Sequence, residues 1–192
     1  MGAVINLREE MKSMKASNLT CLGLAALLAA CSNPLKAPEL ADAQKPARTV
    51  NVRLHAATKL NTDARGQSLA LVARLYKLRQ SAAFESAPYA AFLSPQAEQA
   101  AFGADLLEVK EITLVPGQKY EVHEKVSREA GYIGIVALFR KPAPQRWRLA
   151  YSAAEAEPGG VTVGVYACSL ASGAGAKARM PNAPLPDAVR CQ

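Results

Sequence analysis

The chain has 192 residues, 50% of them apolar, with 23 Lys plus Arg against 16 Asp plus Glu, two His, four Cys and a formal net charge of +7. That is the length and composition of one globular domain, which excludes a disordered chain, a collagen-like repeat and a two-domain enzyme. The charge invites a nucleic-acid reading and the cysteines a zinc reading, so both must be placed along the chain.

Residues 1–30 read as a lipoprotein signal peptide. The apolar run Leu19 to Ala30 follows a polar stretch in which Lys12 and Lys15 supply the cationic region. Its length, at 1.5 Å per residue, reaches about 18 Å, short of the ~30 Å hydrocarbon core of a bilayer, so it is a signal segment rather than a spanning helix. It ends in Leu28-Ala29-Ala30-Cys31, which has the form of a bacterial lipobox. Small residues at Ala29 and Ala30 admit the peptidase, and the Cys31 thiol takes a diacylglyceryl group. Each buried acyl methylene contributes ~0.8 kcal/mol, so two or three chains on Cys31 hold a protein at a membrane without a spanning helix. Ser32 after the cysteine, in place of Asp, resembles lipoproteins exported onward to the outer membrane. Residues 31–48 then read as a flexible tether, with Pro34, Pro38 and Pro46 among small and polar residues.

Removing residues 1–30 takes away Arg8, Lys12 and Lys15 with Glu9 and Glu10, which leaves a net charge of +6 on the mature chain. Cys21 leaves with the signal and Cys31 carries lipid, so only Cys168 and Cys191 remain. Two cysteines without histidines do not make a zinc site, and in an oxidising periplasm a disulfide is the default. Closing that loop is worth ~3 kcal/mol in the chain-entropy model and pins the Pro-rich tail, Pro181 to Gln192, onto the last strand.

Residues 49–192 carry strand signals. Val50, Val52, Leu54 and Ala56 alternate with Asn51, Arg53 and His55, which puts one face in a core. Leu69 to Leu78 reads as a second strand. Residues 80–103 break the pattern: Phe84, Ala87, Ala91 and Phe92 fall at roughly helical spacing, and Ser94-Pro95 starts a helix over Gln96 to Phe102. This predicts a small helical insertion whose aromatics cap one end of a sandwich. Pro116-Gly117 fits a type II turn between a strand near Val109 to Val115 and one from Lys119, where Tyr120, Val122, Glu124 and Val126 share a face. Tyr132 to Phe139 is apolar on both faces, as in a central strand. Trp147 to Tyr151 and Val161 to Ala167 bring the count to about seven strands, typical of a β-sandwich. Gly159-Gly160 reads as a hairpin turn and Ala171 to Ala178 as a loose loop.

Catalytic chemistry finds little support. His55 and His123 fall on polar strand faces with no nucleophile or carboxylate motif nearby, and no spacing suggests a metal. Glu108, Glu111, Glu121 and Glu124 are scattered where alternation puts most of them in solvent. The densest basic cluster, Arg140-Lys141 with Arg146 and Arg148, surrounds a Pro142-Ala143-Pro144 hairpin loop and has only Trp147 as an aromatic neighbour, too little for a nucleic-acid platform. It reads as a solvated hairpin, or as a patch for an acidic partner or anionic headgroups. The expectation is a protein that is not an enzyme, binds no metal or nucleic acid, and carries no cofactor beyond its lipid. The stretch Lys59, Leu60, Asn61, Thr62, Asp63, Ala64, Arg65, Gly66, Gln67 and Ser68 is long for a hairpin connection, where about two to five residues are usual, and long loops on rigid sandwiches often carry recognition.

Several segments resemble a known family when taken in order. They are Leu60-Asn61-x-Asp63-x-x-Gly66, the strand Val72-Ala73-Arg74-Leu75-Tyr76-Lys77-Leu78, Phe84-x-x-Ala87 with Tyr89 and Phe92, Gly103-x-Asp105-Leu106, Pro116-Gly117, the run from Tyr132 to Arg140, and Trp147-Arg148. Their order and spacing are similar to the TssJ (SciN/VasD) family, outer-membrane lipoproteins of the type VI secretion system. Thr62 stands where proline is common in the family, and Lys77 where Gln is common. The resemblance implies a transthyretin-like two-sheet β-sandwich with a helical insertion. It also implies an anchoring role, in which the lipoprotein faces the periplasm and binds the periplasmic C-terminal region of the inner-membrane protein TssM within a TssJ-TssL-TssM complex. The family's first loop contributes to TssM binding and maps onto Lys59 to Ser68, with Asn61, Asp63 and Arg65 as polar contacts and Leu60 as an apolar anchor. The alternative is a small-ligand-binding periplasmic lipoprotein of unrelated role, with a pocket lined by Phe84, Tyr89, Phe92 and Phe102.

Overall fold

The period-two pattern of residues 48–56 forms β1 (Arg48–Ala56), whose Val50, Val52 and Leu54 are fully buried. This strand pairs antiparallel with β4 (Lys119–Val126) and parallel with β7 (Val161–Val165), and β7 carries β8 (Leu170–Ser172) on its other side. A second sheet runs in the order β3 (Leu106–Leu114), β2 (Leu71–Leu78), β5 (Tyr132–Ala137), β6 (Arg148–Ser152), β9 (Ala178–Arg179). The structure is a computed structural model that describes residues 45–179 and Cys191. The expected signal peptide, Cys31 and most of the expected tether lie outside the described residues, as do residues 180–190 and 192.

The two sheets form a β-sandwich around one core, in which the valines of β1 and β7 join Leu75, Ile133, Ile135, Leu149 and Tyr151. Alternation places Glu124 among apolar neighbours on the inner face of β4, and there it is buried rather than solvated. Its carboxylate accepts from Lys110 of β3 and lies 3.6 Å from Lys77 Nζ of β2, so the charge is paired across the two sheets. A buried carboxylate persists only with such partners.

β5 sits inside its sheet and is covered on both faces, as its unbroken apolar run predicts. The outer cover is helical: α1 (Ala82–Ser86), a 3-10 turn at Tyr89–Phe92, α2 (Pro95–Phe102) and a second 3-10 turn at Gly103–Asp105. Ser94 caps α2 by accepting from the Ala97 amide at 3.2 Å, with Pro95 at the first helical position. Phe84, Phe92 and Phe102 pack on Tyr76 of β2 with ring centroids 5.3, 5.8 and 6.3 Å away. The aromatics therefore cover the flat face of the five-stranded sheet, and the expected cap at one end of the sandwich is corrected. Two features direct them there. Gly134 of β5 opens a slot for the Phe84 ring, and Arg74 of β2 reaches outward to Glu98 of α2 at 2.6 Å and to the Phe92 carbonyl at 2.9 Å. Tyr76 also donates to Glu98. Nothing in the sequence pattern marked Glu98 as buried.

Two turns differ from expectation. Gly159-Gly160 does not make a hairpin but ends α3 (Ala153–Gly159), which carries the chain from β6 in one sheet to β7 in the other; Gly160, at φ 66°, stops the helix. The Gly/Ala run is not a loose loop throughout, because it begins in β8, which is held to β7, and ends in β9, which is held to β6.

Because β1 and β7 run parallel and the other neighbours alternate, the four connections 57–70, 115–118, 138–147 and 166–169 leave one pole of the sandwich. The backbone bonds from Gly117 to the Ala57 carbonyl and from Asn61 to the Tyr166 carbonyl tie them together. The chain enters β1 at Arg48, on the opposite pole. At about 3.3 Å per strand residue, the nine residues of β1 put roughly 30 Å between that point and the loops.

The Gly134 slot makes a sharp prediction. A Cβ at that position would lie 2.6 Å from Phe84 Cζ. Gly134→Ala should lower stability in urea denaturation by about 1–3 kcal/mol, although Ala is the better strand residue elsewhere. An unchanged or raised midpoint would show that the insertion does not depend on this slot.

Candidate docking site at the loop pole

Leu60 opens the first long connection by turning inward, where it is fully buried in the core. Asn61 follows at φ 45°, a left-handed conformation that Asn tolerates better than most residues. Its side chain is buried and satisfied on both sides: Nδ2 donates to the Ala70 carbonyl at 3.0 Å, and Oδ1 accepts from the Arg140 amide at 2.9 Å. One amide group thus closes the base of the loop and fastens it to the β5–β6 connection.

Asp63 organises the tip. Its Oδ1 accepts from the Arg65 amide at 2.8 Å and the Gln67 amide at 2.9 Å, while its backbone bonds Gln67 and Gly66. Gly66, at φ 77°, makes the turn, which resembles an Asx-turn in its economy. The amide of Leu69 returns to the Leu60 carbonyl at 3.0 Å, and Ser68 Oγ donates to the Thr58 carbonyl at 2.8 Å. The loop also lies along the β7–β8 turn, where the amides of Asn61 and Thr62 donate to the carbonyls of Tyr166 and Ala167.

The same turn carries Cys168, joined to Cys191 in a disulfide with Cα atoms 5.6 Å apart. The Cys168 carbonyl accepts from the Ala143 amide, so this cysteine also supports the β5–β6 connection. Loop, connection and disulfide enclose a cavity of about 420 Å³ whose lining includes Thr62, Asp63, Arg140, Lys141, Cys168 and Cys191. Tyr89 of the insertion reaches this region as well, donating to the Phe139 carbonyl at 2.7 Å with its ring 4.9 Å from Trp147. Burial pushes its hydroxyl pKa up to about 12.

The loop residues fall into two sets. Lys59, Ala64, Arg65, Gly66 and Gln67 are exposed, and Thr62, Asp63 and Ser68 are half-buried. Leu60 and Asn61, expected as an apolar anchor and a polar contact, are both buried, and both hold the loop in place. Apolar surface at this pole comes instead from Val115 and Tyr166, 50% and 47% exposed. The basic cluster divides in the same way. Arg140 and Lys141 are exposed, whereas Arg148 is buried, stacked 4.6 Å from the Trp147 ring and donating to the carbonyls of Glu85 and Ala87. Sequence spacing could not show that Arg140 stands beside Asn61, 79 residues away.

The aromatics of the alternative reading are spent on packing. Phe84, Phe92 and Phe102 pack on one another and on Tyr76, and Tyr89 and Phe92 pack on Trp147. Among the described residues, no group of three or more His, Cys, Asp or Glu could hold a metal ion.

Residues 48–168 match the family described as type VI secretion lipoprotein, VasD, EvfM, TssJ. The chain belongs to this family. Its solved relatives include the type VI secretion lipoprotein TssJ1 from Pseudomonas aeruginosa, 29% identical with a TM-score of 0.60, covering 72% of this chain and all of that one. A chain of a type VI membrane complex is 26% identical with a TM-score of 0.60, covering 66% of this chain and 98% of that one. A chain from a structure described as the TssM C-terminal domain from EAEC is 28% identical with a TM-score of 0.56, covering 65% of this chain and 97% of that one. No curated protein sequence matches the chain. For a member of the type VI secretion lipoprotein family, the family match spans both the first loop and Cys168.

The Asn61 amide is the testable part of this geometry. Asn61→Ala leaves the Arg140 amide and the Ala70 carbonyl without their partner and should cost about 2–4 kcal/mol in urea denaturation. Asn61→Gly, which accepts the left-handed backbone, should recover up to ~1 kcal/mol of that loss. Two variants as stable as the parent would contradict the role given to this side chain.

Proposed function

We propose that the chain is a non-enzymatic outer-membrane lipoprotein of a type VI secretion system, anchored through acyl chains on Cys31 and facing the periplasm. In this reading it holds the envelope-spanning TssJ-TssL-TssM complex to the outer membrane by binding the periplasmic C-terminal region of TssM. The docking residues are the outward part of the first loop, Thr62 to Gln67, with Lys59 and Ser68 at its base.

One observation carries the proposal: a loop ordered by its own hydrogen bonds stands at the pole opposite the point where the lipid-bearing segment joins the sandwich. A protein that must hold a membrane with one end and a partner with the other needs that separation. A preformed loop also binds without the cost of ordering it at the moment of contact. Two solved relatives support the choice of partner, since one is described as a type VI membrane complex and another as the TssM C-terminal domain.

Co-purification from membranes of cells expressing the full chain tests both ends at once. Replacing Thr62 to Gln67 with a Gly/Ser turn, while keeping Leu60 and Asn61, should leave the protein in the membrane fraction and remove TssM from the eluate. Cys31→Ser should release the protein from membranes while it still binds the TssM region in solution. Retained TssM binding in the loop variant would contradict the docking assignment, and membrane retention with palmitate labelling in Cys31→Ser would contradict the anchor.

A further inference from the structure

The net positive charge is not spread evenly over the fold. The four connections at the loop pole contain five cations, Lys59, Arg65, Arg140, Lys141 and Arg146, and one acid, Asp63. Of the connections at the opposite pole, 127–131, 153–160 and 173–177 contain two cations and three acids, while the 79–105 insertion lies over the outer face of the five-stranded sheet. The side chains of Lys59, Arg65, Arg140 and Lys141 make no ion pair with any described residue, in contrast to Arg48, Arg79 and Arg128 near the other pole, which pair with Glu157 or Glu129. Asp63 offsets its cationic neighbours only in part, being one carboxylate among five cations.

Resting on the docking reading above, we propose that the loop pole is an electrostatic docking face whose cavity, flanked by Arg140 and Lys141 and walled by the Cys168–Cys191 disulfide, receives an acidic segment of the partner. The position of the charge decides between the two anionic surfaces that such a patch could meet. A patch for lipid headgroups belongs beside Arg48, where the acylated segment joins the sandwich, yet Arg48, Arg79 and Arg128 at that pole are already paired with carboxylates. The basic pole lies roughly 30 Å away along β1. Unpaired cations around a walled concavity suit carboxylates presented by a protein, and cations left unpaired at one pole steer an acidic partner toward it. The exposed Val115 and Tyr166 at the same pole supply apolar contact once the charges have met.

The test measures association of the mature chain with the purified periplasmic C-terminal region of TssM at low and physiological ionic strength. Arg140→Glu with Lys141→Glu should slow association about tenfold at low salt and flatten its salt dependence, with an unchanged melting temperature because both side chains are exposed. Lys125→Glu with Lys177→Glu makes the same change of net charge toward the opposite pole, where both side chains are exposed, and should leave the rate within about twofold. Unchanged kinetics in the first variant, or equal slowing in both, would overturn the inference. So would loss of binding to phosphatidylglycerol vesicles in the first variant with TssM association intact, since that assigns the patch to lipid. The charge variants are read independently of the loop replacement: silent charge variants beside a dead loop variant overturn this inference alone, whereas a parent chain that fails to bind overturns both readings.

Discussion

The buried amide of Asn61 is the interaction on which the functional end of this protein depends. Its two bonds join the end of the first long loop, through Ala70, to the start of the β5–β6 connection, through the Arg140 amide. Without it, both half-buried backbone groups would lose this partner, at a cost of about 1 kcal/mol each. Leu60 beside it anchors the loop in the core, and Asp63 organises the tip by accepting from two amides. The loop is therefore long without being loose. Each of its fixed points is a side chain used inward, which leaves Lys59, Arg65 and Gln67 exposed.

Strand direction sets the wider frame. Since β1 lies parallel to β7 and antiparallel to β4, the chain arrives at one pole and places its first long loop at the other. The disulfide and the Asn61 amide act at the same pole and bind three connections into one surface. The helical insertion reinforces it from the side through Tyr89 and the Phe139 carbonyl. The buried pair Arg74–Glu98 and the pair Lys110–Glu124, of which only the carboxylate is buried, serve a different purpose, fixing the insertion to its sheet and the two sheets to each other. Pairs of this kind contribute modestly to stability once desolvation is counted, but removing one partner alone is costly.

Much of the sandwich was legible because alternation is a physical consequence of a sheet with one wet face. Val50, Val52 and Leu54 declare β1, and the unbroken run from Tyr132 declares a strand covered on both sides. Ser94-Pro95 marks the start of α2 by its capping chemistry. What stayed hidden depends on three-dimensional neighbours. A lone Glu98 in a helix and an Arg74 in a strand look solvated until the fold places them together. Gly134 looks like a weak strand residue until Phe84 is found above it. The site behaved likewise: the loop was visible by its length, but the inward turn of Leu60 and Asn61 was not, because a loop carries no periodicity from which burial can be read. The partition of Arg140 and Lys141 from Arg148 follows strand register, which one sequence does not fix.

Hydrogen exchange on the free mature protein measures the preformed loop most directly. The amides of Arg65, Gln67 and Leu69, each donated within the loop, should exchange at least about a hundredfold more slowly than in an unstructured peptide, and Asn61→Ala should erase that protection. Exchange of these three amides at the peptide rate in the free protein, with protection appearing only when TssM is bound, would contradict a loop ordered in advance by Asn61 and Asp63.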